Sequence, residues 1–270
     1  MFESKIAPTL KRAANQGTKL LSMLAGDYFP FYYVVEYPRS GGTWVAHLLA
    51  DYLQIPLPKH SLAPIACRAV LHSHWKYDRR LRSPVYVLRD GRDVAVSMMF
   101  YALRRIETQH YYAKRFPSLF QIQNKNYAEA LPRFLIEWFE HPAGCRFSWP
   151  RHVRDWAFQP GVHVVRYEDF NRNPLSAFGD LLAKLKVDGV DEKLLAISVE
   201  KYSFQRQTKR EAGREDQRSN KRKGIVGDWK NYFNTEAAEI FERYSAGLLV
   251  DLGYESDKEW VKKLHNETKR

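Results

Sequence analysis

The sequence contains few cysteines and no long apolar segment. Only Cys67 and Cys145 are present among 270 residues, and they do not form a CxxC pair. The sequence therefore predicts neither a disulfide framework nor a cysteine-rich metal site, and it is typical of a reducing, cytoplasmic setting. No apolar run approaches the roughly 20 residues of a membrane-spanning helix. The segment from Leu20 to Ala25 is too short even for the apolar core of a signal peptide.

Internal repeats, low-complexity tracts and linkers rich in Pro, Gly or Ser are also absent. We therefore predict a single domain for residues 1–270, or at most a domain with a large insertion, with a helical extension over residues 1–30. In this extension, apolar residues recur at helical spacing beside three basic ones: Leu10, Ala14, Leu21 and Leu24 beside Lys11, Arg12 and Lys19. The apolar face is predicted to pack onto the domain, and a peripheral membrane contact is the alternative.

Negative charge is scarce. The 43 Lys and Arg residues outnumber the 31 Asp and Glu residues, which gives a formal net charge of +12. This excess favours an anionic partner, and nucleic acid, a phosphorylated cofactor, an acidic glycan and a membrane surface all qualify. Composition alone equally allows a surface on which the charge is merely solvated.

Short apolar segments alternate with helical patterns along the chain. Strands are predicted at residues 31–36, 85–88 and 163–166, and helices at residues 45–53, 93–101 and 175–185. This alternation predicts an α/β fold with a parallel sheet that helices cover on both faces. In such folds, ligands bind beyond the carboxyl ends of the strands.

The loop after the first predicted strand contains two adjacent glycines. It reads Tyr37-Pro38-Arg39-Ser40-Gly41-Gly42-Thr43-Trp44. Glycine allows a tight bend, and the exposed amides at the start of the next helix can hold an anion. Arg39 adds a positive charge, Thr43 a hydroxyl and Trp44 an aromatic face for a base, although a simple turn is the alternative. Because the GxxxxGK[ST] order of a nucleoside-triphosphate P-loop is absent, an ATP-dependent kinase is disfavoured.

A second loop begins at Arg89, at the end of the strand predicted over residues 85–88. Ser97 lies two helical turns further on, so a guanidinium and a hydroxyl can hold a phosphate between them. Arg92 and Asp93, in contrast, are predicted to be surface or helix-start charges.

A basic cluster with two glycines lies further along the chain. It spans residues 221–233 and reads KRKGIVGDWKNYF. Its glycines can bring amides close to an anion, and the alternative is a solvated charge run. The polar stretch over residues 205–220 predicts a mobile loop that orders when a ligand binds.

Two histidines, His72 and His74, follow the apolar residues 69–71. At the end of a strand this spacing places both imidazoles on one side. No third ligand stands at a recognisable spacing, so the sequence does not predict a metal site.

Together these segments resemble the cytosolic-type sulfotransferase family that uses PAPS, 3′-phosphoadenosine 5′-phosphosulfate. Residues 37–44 resemble its phosphosulfate-binding YPxSGxTW loop, and residues 222–233 resemble its RKGxxGDWKNxF signature. Arg89 and Ser97 have the spacing of its 3′-phosphate site. Residues 148–156, 166–169 and 173–174 resemble further landmarks of the family in their expected order.

The resemblance implies a P-loop-like phosphosulfate-binding loop, and transfer of a sulfuryl group from PAPS to an acceptor hydroxyl without a metal. The product of the donor is adenosine 3′,5′-bisphosphate, PAP. It implies that His74 is the general base, that Arg39 lies at the sulfuryl group and that His72 stands where the family often has lysine. The implied nucleotide-binding residues are Arg39, Ser40, Gly41, Gly42, Thr43 and Trp44 in the loop, Arg89, Ser97, Arg222, Lys223 and Gly224 at the 3′-phosphate, and Tyr167, Ser203 and Phe204 at the adenine.

Several alternatives stay open. A non-catalytic binder of adenosine bisphosphate or RNA would also suit the positive charge and the aromatic residues, but His74 argues against it and no nucleic-acid partner is expected. Asp51 is the next candidate base. The family's dimerisation motif is degraded at Asn234 and Thr235, so the oligomeric state is not predicted. The acceptor is a small-molecule, lipid or glycan hydroxyl compound, for which a set of apolar residues forms either a pocket or part of the core: Met98, Met99, Phe100, Tyr101, Tyr111, Tyr112 and Phe116.

Overall fold

The structure is a computed structural model that describes residues 3–26, 28, 31–58, 61–122 and 126–267. The chain divides into two compact units. The first comprises Met1–Glu36, Gly41–Val87 and Trp156–Gln207, and the second comprises Tyr37–Ser40, Leu88–Asp155 and Thr208–Arg270. The single domain over residues 1–270 stays a prediction.

The first unit contains a four-stranded sheet. Only Leu88, the last residue of the third strand, belongs to the second unit. The strands are β1 (Tyr32–Glu36), β2 (Val70–Ser73), β3 (Val85–Leu88) and β4 (His163–Arg166), and they lie in the order β2-β1-β3-β4. β1 is parallel to both of its neighbours, and its Val34 lies opposite His72 on one side and Val85 on the other. A strand between two parallel neighbours is buried on both faces, which explains its continuous apolar run. The predicted strands and the parallel sheet are therefore confirmed.

Helices flank the sheet, as predicted. In chain order they are α1 (Glu3–Leu24), α2 (Gly42–Tyr52), α3 (Gly91–Leu103), α4 (His110–Arg115), α5 (Tyr127–Glu140), α6 (Trp149–Ala157), α7 (Tyr167–Arg172), α8 (Pro174–Lys184), α9 (Glu192–Lys201), α10 (Phe204–Thr208), α11 (Thr235–Ser245), α12 (Leu248–Asp251) and α13 (Trp260–Glu267), with 3-10 turns at Pro117–Gln121 and Asp228–Asn231. The helices predicted at residues 45–53, 93–101 and 175–185 correspond to α2, α3 and α8. No helix of the described residues is long and apolar enough to cross a membrane.

The core of the first unit lies between the sheet and the helices α2, α8 and α9. On α2 the residues Val45, Leu48 and Leu49 recur at intervals of three and four and are fully buried. This spacing forms one apolar face of a helix, so the sequence pattern itself specifies which side of α2 meets the strands.

The second unit has an aromatic core. The rings of Trp149 and Phe139 pack on Phe241 with centroids 5.6 and 5.5 Å apart. Gly91 begins α3 against this core, where a Cβ would lie 2.6 Å from Trp149 and 2.7 Å from Phe241, so only glycine fits. The set of apolar residues considered for an acceptor pocket is mostly part of the core: Met98, Met99, Phe100, Tyr112 and Phe116 are buried, Tyr101 is half-buried and Tyr111 is exposed.

The leucines of α1 do not form its buried face, which corrects the expectation for Leu10 and Leu24. These two side chains are 45% and 70% exposed, whereas Ala14, Thr18 and Ser22 are buried. Thr18 Oγ1 accepts a hydrogen bond from the Ile65 amide, and the Ser22 carbonyl accepts one from the Tyr33 hydroxyl. Hydrogen bonds to neighbouring segments, rather than apolar side chains, therefore select this face. The remaining residues of the extension, 1–2, 27 and 29–30, lie outside the described residues.

Candidate active site

Two glycines connect the end of β1 to the start of α2. Gly41 has a φ of 96°, in the left-handed region, and a Cβ there would lie 2.5 Å from the ring of Tyr167. A Cβ on Gly42 would lie 2.8 Å from the carboxyl carbon of Glu36. Both positions therefore require glycine. The amide of Gly42 is buried against Glu36, so an anion at this turn would meet the amides on either side of it.

A buried carboxylate connects this turn to both histidines. Glu36 is only 3% exposed, and its Oε2 accepts a hydrogen bond of 2.6 Å from the Gly42 amide. Its Oε1 lies 2.9 Å from His72 Nε2, and its carbonyl oxygen lies 2.9 Å from His74 Nδ1. A carbonyl oxygen only accepts, so His74 Nδ1 carries the hydrogen and Nε2 carries the lone pair in the neutral ring. The two imidazole centroids are 5.3 Å apart.

The ionisation of this cluster follows from its burial and its charges. Burial alone would raise the pKa of Glu36, but the hydrogen bond and charge of His72, the charge of His74 and the Gly42 amide together lower that pKa to about 2. Burial lowers the pKa of His74, although the Glu36 carboxylate opposes this effect. Glu36 is thus ionised and His74 is neutral near pH 7, which is the state that a general base requires.

Glu36 was not among the residues that the sequence predicted for the site. The signal was available, because an acidic residue ends an otherwise continuous apolar strand directly before the glycine loop. Glu36, His72 and His74 also place one donor atom each within 4.8 Å of one another, and two imidazoles with a carboxylate are a ligand set that zinc accepts. The hydrogen bonds among these residues and the Gly42 amide satisfy the same carboxylate without a metal.

An aromatic group follows the glycine turn in the first unit. The ring of Trp44 lies 6.1 Å from Tyr167 and 6.0 Å from Phe170, both edge-on. Its Nε1 is buried and has no hydrogen-bond partner among the described residues. A half-buried indole with an unsatisfied donor fits contact with a heterocyclic base. Of the other residues predicted at the adenine, Ser203 and Phe204 are half-buried, and Ser203 Oγ accepts a hydrogen bond from the Arg206 amide.

In the second unit, Arg39 has an unusual backbone. Its φ of 80° lies in the left-handed region, which costs about 1 to 2 kcal/mol for a residue other than glycine. Arg89 Nη1 donates to the Arg39 carbonyl at 3.2 Å, and Arg39 Nε donates to Ser97 Oγ at 3.1 Å. Three of the predicted site residues are therefore brought together by direct contacts.

The basic cluster over residues 221–233 is not a solvated charge run. Arg222 and Lys223 are half-buried and both pair with Asp228, the lysine at 2.6 Å. Arg222 also pairs with Glu215. Gly224 adopts a φ of 69°, again in the left-handed region. Acidic neighbours thus hold these cations in place, while the mobility of residues 205–220 stays a prediction.

Arg92 and Asp93 are buried, which corrects their assignment as surface charges. Each is 2% exposed at the start of α3. The Arg92 guanidinium pairs with Asp90 at 2.7 Å and lies 3.8 Å from the ring centre of Trp229. Asp93 accepts hydrogen bonds from the amides of Gly227 and Trp229 at 2.8 and 2.9 Å. Both residues connect α3 to the turn at residues 227–229, within the basic cluster.

Asp51, the next candidate base, is engaged elsewhere. It lies near the last residue of α2, roughly 13 Å along the helix from the glycine turn at 1.5 Å per residue. Its Oδ2 accepts a hydrogen bond of 2.8 Å from Ser198, and its Oδ1 pairs with Lys201. Asp51 therefore ties α2 to α9.

We expect Asp93→Asn to destabilise the turn around Gly227. The amide nitrogen cannot accept a hydrogen bond, so one of the two buried backbone N–H groups loses its partner, at a cost of about 1 to 3 kcal/mol. Hydrogen exchange at Gly227 and Trp229 should accelerate, and the unfolding temperature should fall. The exposed Asp257→Asn is the control. Unchanged exchange at both amides would contradict the anchoring role.

The chain is similar to known sulfotransferases. Residues 73–264 match the family model of the sulfotransferase domain. Sulfotransferase 1A1 of Bos taurus is 24% identical over 258 residues, covering 79% of this chain and 81% of the relative, and sulfotransferase 1 family member D1 of Rattus norvegicus is 24% identical over 262 residues, covering 77% and 80%.

The solved structures show the same fold. A mouse sulfotransferase complexed with PAP aligns with a TM-score of 0.58 and 20% identity, covering 93% of this chain and 95% of that one. Retinol dehydratase in a complex with retinol and PAP aligns with a TM-score of 0.55 and 18% identity, covering 82% and 81%. Because the family model matches well over half of the chain, the protein belongs to the sulfotransferase family and is an enzyme of its cytosolic-type, PAPS-dependent kind.

Proposed function

We propose that the protein transfers the sulfuryl group of PAPS to an acceptor hydroxyl by in-line attack, with His74 as the general base. The observation that carries this proposal is the pairing of His74 Nδ1 with the Glu36 carbonyl at 2.9 Å. This contact fixes the tautomer in which Nε2 accepts a proton, and burial keeps the ring neutral by lowering its pKa.

The loops supply the residues that would contact the nucleotide. The amides of Gly41 and Thr43 would hold the phosphosulfate with Ser40 of the same loop, whereas the Gly42 amide, also predicted there, already donates to Glu36 Oε2. Trp44, Tyr167, Ser203 and Phe204 would contact the adenine. The 3′-phosphate would meet a second set of residues: Arg89, Ser97, Arg222, Lys223 and Gly224. When bound, PAPS supplies the sulfuryl group on a phosphate leaving group. Two observations support binding of the nucleotide here: only glycine fits at positions 41 and 42, and Trp44 Nε1 has no hydrogen-bond partner among the described residues.

Each residue of the reacting centre has one role. His74 Nε2 takes the hydroxyl proton while the acceptor oxygen attacks sulfur and the bond from sulfur to the phosphate oxygen breaks on the opposite side. The Arg39 guanidinium stabilises the charge that develops on the transferred group and on the leaving oxygen. Glu36 acts as a positioning residue, because it holds His72 by its side chain and His74 by its carbonyl.

Three further expectations remain predictions. The protein is expected in the cytoplasm. The exposed leucines of α1 lie beside basic residues, which suits the alternative of a peripheral membrane contact. Nucleic acid is not an expected partner, and a non-catalytic binder is the less favoured alternative.

We expect PAP to raise the unfolding temperature far more than 5′-AMP does, because only PAP carries the 3′-phosphate. Arg89→Ala should erase most of this difference, since charge-assisted hydrogen bonds to one phosphate are worth about 1.5 to 3 kcal/mol each. The exposed Arg172→Ala should leave it unchanged. Equal stabilisation of the unaltered protein by PAP and AMP would refute the 3′-phosphate site.

His74→Ala should lower turnover at least about a hundredfold while leaving PAP affinity nearly unchanged, because base catalysis contributes about 10² to 10⁴. His72→Ala should cost less. Single-turnover formation of the sulfate ester at saturating PAPS isolates the chemical step. If His72→Ala alone abolished transfer, the two histidines would exchange roles, and if both variants stayed active the base would lie elsewhere. A non-catalytic binder would retain nucleotide without ever forming an ester.

Glu36→Gln should shift the acidic limb of the rate profile to lower pH. The carboxylate raises the pKa of His74, so its removal lowers that pKa and the neutral base persists to more acidic pH. The variant should also lose the stability that ionised Glu36 contributes, which in the unaltered protein is present above about pH 4.5 and is lost as pH falls towards its folded pKa of about 2. Glu259→Gln is the control, and an unmoved limb would show that Glu36 does not act on the base.

A further inference from the structure

Three arginines surround one tyrosine ring in the second unit. Tyr101 is half-buried on α3, and the guanidinium carbons of Arg105, Arg39 and Arg104 lie 3.7, 4.7 and 5.4 Å from its ring centre. One cation over an aromatic face is stabilising, but three like charges around the same ring repel one another. Either solvent or a bound anion must reduce this repulsion.

Neutral oxygens accept hydrogen bonds from these arginines. Arg104 Nη2 and Arg105 Nη2 donate to Asn220 Oδ1 at 3.0 and 3.4 Å, and Arg39 Nη2 donates to the Asn220 carbonyl at 2.8 Å. Arg104 Nη1 donates to the Gln217 carbonyl. Across the part of the chain that the structure describes, neither Arg104 nor Arg105 forms an ion pair with a carboxylate.

Two other arginines of this unit have acidic partners. Arg92 pairs with Asp90 and Glu255, and Arg222 pairs with Asp228 and Glu215. Burial and the charge of Arg105 lower the pKa of Arg104. The charge of Asp216 raises that pKa, but by a smaller amount. Among the described residues, Arg104 and Arg105 thus lack the carboxylate partners that Arg92 and Arg222 have.

Guanidinium groups recognise carboxylate, sulfate and phosphate groups through paired N–H donors. Arg39 links these arginines to the reaction, because the proposed function places it at the sulfuryl group. Arg104 follows Ser97 by two helical turns, about 10 Å along α3. A ligand held by Arg104 and Arg105 is therefore separated from the 3′-phosphate residue Ser97.

We propose that Arg104 and Arg105, with Arg39 and Tyr101, bind an anionic group of the acceptor. The substrate class is accordingly a hydroxyl compound that carries a carboxylate, sulfate or phosphate, such as an acidic glycan. The tyrosine ring and the Asn220 amide hold the three guanidiniums apart and aligned, so the anion meets donors that are already oriented. This inference rests on the proposed sulfuryl transfer for its placement beside the reacting group.

The test compares acceptors that differ only in charge. Methyl glucuronide is paired with its methyl ester, 4-hydroxyphenylacetate with its methyl ester, and glucose 6-sulfate and glucose 6-phosphate with glucose. At saturating PAPS we expect at least one anionic compound to exceed its neutral partner about tenfold or more in kcat/KM, with a preference that shrinks as salt is added. The sulfate, phosphate and carboxylate arms identify which anion is preferred.

The double variant Arg104→Gln/Arg105→Gln should lower this preference to below about threefold while PAP affinity changes less than about twofold. Arg172→Gln/Lys262→Gln removes the same amount of charge from exposed positions and should keep the preference. A double variant that lost PAP affinity would assign the arginines to the nucleotide and overturn the proposal. Equal use of charged and neutral acceptors, or a preference retained in the double variant, would also overturn it.

Calorimetric binding to the protein loaded with PAP separates this proposal from the proposed function. If no ester forms from any acceptor but an anionic compound binds and the double variant abolishes binding, sulfuryl transfer fails and the anion site stands. If PAP binds and neutral acceptors are sulfated, but no anionic compound binds or reacts better than its neutral partner, the transfer stands and the anion site fails.

Discussion

The buried carboxylate of Glu36 is the constraint on which the first unit's site depends. A carboxylate at the end of a strand enclosed by two parallel neighbours is costly unless hydrogen bonds and charge compensate it. The compensation comes from the Gly42 amide on one oxygen and His72 on the other. One side chain thus fixes the entry to α2 and the orientation of an imidazole at the end of β2. The register that places Val34 opposite His72 brings His72 within reach of Glu36.

Charge in the second unit is distributed differently. Asp93 and Asp228 each organise backbone amides or cations of the basic cluster, so that segment has acidic anchors. Beside Tyr101, Arg104 and Arg105 have only neutral acceptors within hydrogen-bond distance among the described residues. A protein folds with such a concentration of like charge only when solvent, or a bound anion, reduces its repulsion. The contrast between these two basic regions separates cations that hold the structure from cations that are available to a ligand.

The sequence predicted those features that depend on local pattern. The strands at residues 85–88 and 163–166 have the predicted bounds, because short β-branched apolar runs between polar residues have few alternatives. The glycine loop and the Arg89 to Ser97 spacing were likewise visible, since each lies within a few residues of a strand end.

The features that sequence missed depend on distant partners. Arg92 is buried because Trp229 and Glu255 cover it, and no local pattern around Arg92 identifies residues so far along the chain. The predicted buried face of α1 comprised Leu10, Ala14, Leu21 and Leu24, but of these only Ala14 is buried. Thr18 and Ser22, which form hydrogen bonds to other segments, are buried as well. Glu36 was not predicted for a related reason. Its role depends on pairing with His72 of the neighbouring strand, and no local pattern around Glu36 identifies that partner.

The backbone of Arg39 shows how a strained residue can be held without a covalent constraint. Its left-handed φ is unfavourable for an arginine, so contacts on both the main chain and the side chain must maintain it. Arg89 holds the carbonyl, while Ser97 and Asn220 hold the guanidinium through neutral oxygens. Neutral partners are weaker than carboxylates, and a bound anion can replace them at little cost. In the proposed function, these contacts keep Arg39 in position beside the group that the enzyme transfers.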